Sequence, residues 1–186
     1  MKFLRLTLPV VVLLSLSTLT FAQADTEKPP TDSEKSFTQL KALAGTWGGR
    51  VTTTPPMEEM GNMAQLQVTL RVTSRGNALV HEMKAAGTAD DPAKYDHPVT
   101  MFYLDNGRLL LTHYCDAGNR PRMVARSSDG KTIEFDFIDL SGGTEHGHMD
   151  HAVFTVIDAN HHTEDWTYMM PGDKPMRAHF DLTRAK

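Results

Sequence analysis

The run Val99-Thr100-Met101-Phe102-Tyr103-Leu104-Asp105-Asn106-Gly107-Arg108-Leu109-Leu110-Leu111-Thr112-His113-Tyr114 decides the architecture. Two stretches of β-branched, aromatic and aliphatic residues flank Asn106-Gly107. That dipeptide tolerates positive φ at both positions and closes a two-residue hairpin whose twist matches its strands. Arg75-Gly76-Asn77, Ser128-Asp129-Gly130 and Pro171-Gly172-Asp173 supply similar reversals elsewhere. Between them lie ten strand-like runs, near 46–53, 65–73, 78–87, 99–105, 108–114, 121–127, 131–139, 148–158, 162–170 and 174–183.

Short antiparallel connections follow one another, with no long helical period after Gly45 and no domain-scale linker. A ten-strand meander protects its edges by closing. The expected fold is therefore all-β: a single up-and-down antiparallel β-barrel of about ten strands. A two-sheet sandwich is the competing architecture, but it needs longer crossings between sheets. Alternation marks the inner face. Ile133, Phe135 and Phe137 share one side of their strand, as do Phe154 with Val156, Trp166 with Tyr168, and Met176 with Ala178, Phe180 and Leu182. One short amphipathic helix precedes the strands, with a capping box expected at Ser36 and Gln39 and termination at Gly45.

The N-terminus bounds the setting. Lys2 and Arg5, an apolar core from Leu6 to Leu14 and on to Phe21, and Ala22-Gln23-Ala24 form a cleavable secretory signal over residues 1–24. The apolar run is shorter than the roughly 20 residues that span a bilayer and is interrupted by Ser15, Ser17, Thr18 and Thr20. The protein is expected to be exported, periplasmic or secreted, with no membrane span in the mature chain. Residues 25–35 read as a flexible leader and 36–186 as the barrel domain. Lys2 and Arg5 leave with the signal, so the mature 162 residues carry a net charge of −6. An acidic chain lacks the basic footprint of a nucleic-acid binder. Cys115 is the only cysteine, so no intramolecular disulfide can form and the core alone must hold the fold.

Leu40-Lys41-Ala42-Leu43-Ala44-Gly45-Thr46-Trp47, followed by Gly48-Gly49, resembles the G-x-W signature that opens the first strand of lipocalins and other calycins. The resemblance implies that Trp47 closes one barrel end against the helix. Leu111-Thr112-His113-Tyr114-Cys115 with Asn119, Pro121, Arg122 and Met123, and Asp158-Ala159 with Thr163-Glu164-Asp165-Trp166-Thr167, resemble an exported bacterial family of unknown function with a lipocalin-like domain. That resemblance spans about Phe37 to Arg184 and carries no catalytic residue, since a fold does not fix a function.

Four groups could carry chemistry. His113 and Cys115, two apart on one strand, share a face, and Asn119 and Arg122 follow on the next turn and strand. With His81, Trp47 and Trp166 they form the expected ligand-binding set, His113, Arg122 and His81 fixing the polar end of a small hydrophobic or amphipathic molecule. A Cys115 thiolate activated by His113 is the enzymatic alternative, and core filling the structural one. His146, His148 and Asp150 have spacing suited to zinc or copper, with His151 on the opposite face unless a bulge intervenes. His161 and His162 read as exposed loop residues. Met57, Met60 and Met63 suit an apolar lid over the barrel mouth, or a soft copper site. His179 is the position to suspect for heme, because the heme-binding ten-stranded barrels called nitrobindins use a histidine near the chain end. Alternation nevertheless groups it with Arg177 and Asp181, outside the apolar face. No cofactor is predicted; zinc, copper or heme are alternatives. No phosphate-cradling loop, Gly-x-Ser-x-Gly elbow or His-Glu-x-x-His occurs, so an enzyme is the less favoured reading.

Overall fold

The structure, a computed structural model, describes residues 29–57, 65–126 and 129–186. The signal segment 1–24, the first part of the leader, and Met60 and Met63 of the methionine-rich segment lie outside the described residues.

The chain forms a closed ten-strand antiparallel barrel preceded by one helix, α1 (Asp32–Ala42). The strands are β1 (Gly45–Thr54), β2 (Leu66–Thr73), β3 (Ala78–Ala85), β4 (Val99–Asp105), β5 (Arg108–Tyr114), β6 (Arg120–Ala125), β7 (Thr132–Ser141), β8 (His148–Asp158), β9 (His161–Met170) and β10 (Lys174–Arg184). Each pairs with its sequence neighbours, and β1 pairs with β10 from Trp47 opposite Arg184 to Thr54 opposite Arg177. Asn106 and Gly107 adopt φ of 49° and 76°, the positive values their hairpin requires.

The capping box of the helix lies five residues earlier than expected. Thr31 caps it, its hydroxyl accepting from the Glu34 amide while the Glu34 carboxylate accepts from the Thr31 amide. Asp32 and Glu34 sit in the first turn, where the helix dipole favours acids. Ser36 is buried inside the helix instead. Gln39 donates to the carbonyls of Gly130 and Lys131, and Lys41 to that of Gly76, so α1 lies across the end of the barrel that carries the β2–β3 and β6–β7 turns.

Trp47 anchors this closed end. Its indole N–H donates 2.8 Å to the Leu43 carbonyl, Arg184 covers the ring at 4.2 Å, and the same guanidinium donates to the Ala44 carbonyl. Phe37, Leu40 and Leu43 of the helix segment join Trp47, Val68, Leu70, Leu79, Phe102, Phe135, Phe154, Trp166, Phe180 and Leu182 in one core. The alternation expected in the sequence holds for Ile133 and Phe135, which are fully buried. Phe137 does not follow: it is exposed and lies against His148. The register slips beside it, with Met123 opposite Phe137 and Arg122 opposite Asp139, leaving Ile138 unmatched.

Gly49 marks a close approach of β1 to β10. A Cβ there would collide with the Asp181 carbonyl, a backbone atom that cannot swing aside. Gly49→Ala is therefore expected to lower stability by about 1–3 kcal/mol, measurable as a reduced urea midpoint. A midpoint equal to that of the native sequence would contradict this packing.

Candidate functional site: a polar cluster inside the barrel

β9 sends His162, Glu164 and Trp166 to the interior, since residues two apart share a face. His81 of β3 and His113 of β5 arrive from across the barrel. All are essentially without solvent contact, His81, His162 and Glu164 completely so. His162 is thus not the exposed loop residue that the turn chemistry suggested; it is the first inward residue of β9, edge-on to Trp47 at 4.2 Å.

Glu164 is the centre. Its carboxylate accepts from His81 Nε2 at 2.9 and 3.1 Å, from His162 Nε2 at 3.0 Å and from the Trp166 indole N–H at 2.9 Å. Burial pushes the Glu164 carboxyl up, but the charge of His81, with hydrogen bonds from His162 and His81, overcomes it and holds the group at about 2. His113 Nδ1 lies 2.9 Å from the Thr100 hydroxyl. Its burial, with a smaller contribution from His81, lowers its pKa to about 3, so it is neutral at ordinary pH. The rings of His81 and His113 both rest against Trp166, at 5.7 and 5.8 Å. One nitrogen of each imidazole is held; the others, His81 Nδ1, His162 Nδ1 and His113 Nε2, are buried without a protein partner.

Of the residues singled out in the sequence, the interior gathers His81, His113, Trp47 and Trp166. Arg122 stands on the outside, paired through both ends of its guanidinium with Asp139. Asn119 is buried but structural in its bonds: its amide donates to the carbonyls of Gly143 and Gly147, pinning the β7–β8 connection. Cys115 is half-buried beside Asp96 and Asp116, and burial and those charges raise its pKa. A thiol that holds its proton more tightly is the opposite of an activated nucleophile.

His148 comes within 3.8 Å of Asp150 and lies with its ring tilted against Phe137, while the carbonyl of the exposed His146 accepts from the Tyr168 hydroxyl. A bulge does occur here, between Met149 and His151, but it directs His151 to Glu134 and Asp136 at 3.4 and 3.2 Å. Those three, and separately Glu82, Asp90 and His97, bring their ligand atoms within 4.8 Å of one another. Asp136 is also paired with Arg126 and Asp90 with Lys84, so a protein cation already offsets one carboxylate of each group. His179 bonds Asp165 at 2.7 Å on the outer wall, as its alternation predicts.

Two depressions adjoin at the barrel end opposite α1. A cleft of about 230 Å³ is lined by Leu66, Met83, Ala85, Pro98 and Phe180 together with Lys84 and Asp96. A wider acidic groove of about 630 Å³ includes Glu82, Asp90, Asp96, His97, Cys115 and Asp116.

No family model matches the sequence, and no curated protein is similar to it. Among solved structures, the crystal structure of Rv2717c from M. tuberculosis is similar, with a TM-score of 0.57 at 12% identity, covering 81% of this chain and 98% of that one. At that identity the likeness shows the fold alone: a ten-strand barrel that fits a calycin-like architecture. A protein with unknown function from the DUF3598 family of Nostoc punctiforme matches at 6% identity over 79% of this chain and 99% of its own, with a TM-score of 0.25 that carries no argument. Among the described residues, no helix is long and apolar enough to cross a membrane.

Proposed function

We propose that this chain is an exported binding module whose barrel takes a small hydrophobic or amphipathic molecule at the end opposite α1. The observation that carries the reading is the cleft between Leu66, Met83, Pro98 and Phe180. Its lining is mostly apolar and includes Lys84 and Asp96, the combination of apolar lining with a few polar groups that small-molecule sites use. Its volume of about 230 Å³ lies below the range usual for drug-sized ligands, which restricts it to a small ligand or to part of a larger one. The N-terminal signal supports export.

The test uses 1-anilinonaphthalene-8-sulfonate, an amphipathic dye. The native protein is expected to enhance its emission with saturable 1:1 binding, and Met83→Trp, which fills the cleft, to weaken binding at least tenfold while retaining the native far-UV dichroism. Dye binding unchanged in Met83→Trp sinks the assignment of the site. Absence of saturable binding to the native protein sinks the function.

A further inference from the structure

Resting on the binding-module reading, we infer that the barrel mouth selects a cationic amphiphile, an alkylammonium whose chain enters the apolar cleft while its charged head sits at Asp96.

The cleft and the acidic groove are two parts of one mouth. Asp96 lines both. On β3 the side chains alternate between them: Met83 lines the cleft, and Glu82, one residue earlier, lines the groove. The β3–β4 connection supplies Pro98 to the cleft and Asp90, Tyr95 and His97 to the groove. A molecule with its apolar chain in the cleft therefore has its other end at Asp96. What stands there decides which head group it carries.

The charge there is negative. Lys84, which also lines the cleft, is committed to Asp90 at 2.7 Å, and Lys94 of the groove to Asp91 at 3.4 Å. Among the described residues, no lysine, arginine or histidine forms an ion pair with Glu82, Asp96 or Asp116, so three carboxylates of the groove stay without a protein cation. Burial, and then the charge of Asp116, raises the pKa of the Asp96 carboxyl. A cation beside it relieves that repulsion, whereas an anionic head adds to it. Tyr95, stacked parallel on His97, lines the same groove and supplies the aromatic surface that alkylammonium groups favour. Asp96 and Asp116 are exposed, so the head keeps part of its water and the preference is Coulombic and moderate in size.

The experiment is calorimetric titration of the native protein with octylammonium and with octanoate, chains of equal length and opposite heads, below their micelle concentrations. Octylammonium is expected to bind 1:1 and about fivefold or more tightly than octanoate. The double variant Asp96→Asn with Asp116→Asn should bring the two within about twofold, and Met83→Trp should weaken octylammonium by about fivefold or more. Octanoate binding as tightly as octylammonium overturns the inference. So does a preference that survives intact in the double variant, or octylammonium binding that is indifferent to Met83→Trp, which would leave a cation on the groove alone. The comparison on the native protein needs no variant, so a poorly folded substitution does not rescue the idea. If the native protein binds neither the dye nor either amphiphile, the binding-module reading fails. Equal binding of the two amphiphiles keeps that reading and ends this one.

Discussion

Glu164→Ala is expected to destabilise the barrel by about 3–5 kcal/mol, the range for breaking a buried, hydrogen-bonded charge pair by removing one partner. Two imidazole N–H groups and the Trp166 indole N–H would lose their acceptor together, in a place that water does not reach. Each unsatisfied donor carries its own desolvation penalty. The three donors come from β3 and β9, so the loss also uncouples strands that are not neighbours in the barrel. Glu134→Ala is the control: it removes a partly exposed carboxylate beside His151 and should cost no more than about 1 kcal/mol. Urea unfolding of both variants decides the matter. A Glu164→Ala change below about 1 kcal/mol would mean that the cluster is not a structural centre.

Acid should destabilise the fold in two stages. His113 has a folded pKa of about 3 against an ordinary value of 6.5. Between those values the unfolded chain takes a proton that the native state refuses, so stability is full above about 6.5 and falls as pH drops toward 3. Glu164 adds a second loss lower down. Its folded pKa is depressed from 4.5 to about 2, and its contribution, complete above the unfolded value, drains as pH falls through that interval. A tenfold difference in proton affinity between the folded and unfolded chain is worth about 1.4 kcal/mol, so the His113 stage alone amounts to several kcal/mol. Urea midpoints at pH 7, 5.5 and 4.5 should decline steadily for the native sequence and much less for His113→Phe, whose ring cannot titrate. Parallel declines in the two proteins would show that His113 is not responsible.

Much of the fold was legible because its signals are local. Asn106-Gly107 needs only its own backbone to turn a hairpin, and Ile133 with Phe135 needs only period two to declare an inner face. Trp47 followed from a short motif, and the barrel confirms its position against the Leu43 carbonyl. The helix start was displaced because Thr31-x-x-Glu34 and Ser36-x-x-Gln39 both satisfy the capping pattern, and only packing of the helix across the barrel end chooses between them.

The candidate site was half legible. His81, His113 and Trp166 were identified, and the pairing of Trp166 with Tyr168 already implied that Glu164 and His162 face inward, had the alternation been carried two residues further at each step. Hydrophobicity argued against it, because a carboxylate at an inward position has no place in a binary pattern until its three donors are known. Arg122 was misplaced for the converse reason: Asp139, which holds it outside, reaches it only across the register slip between β6 and β7.

The pairing of β1 with β10 sets the order in which this chain can be assembled. All the other strand pairs join neighbours in sequence and can form hairpin by hairpin. The seam from Trp47–Arg184 to Thr54–Arg177 brings together residues more than a hundred positions apart, with the large loop-closure entropy that such contacts require. A chain synthesised from the N-terminus would expose the unpaired edge of β1 until its last strand arrived. The final eleven-residue strand is therefore the latch of the molecule, and the interior cluster stays sealed only once that latch has engaged.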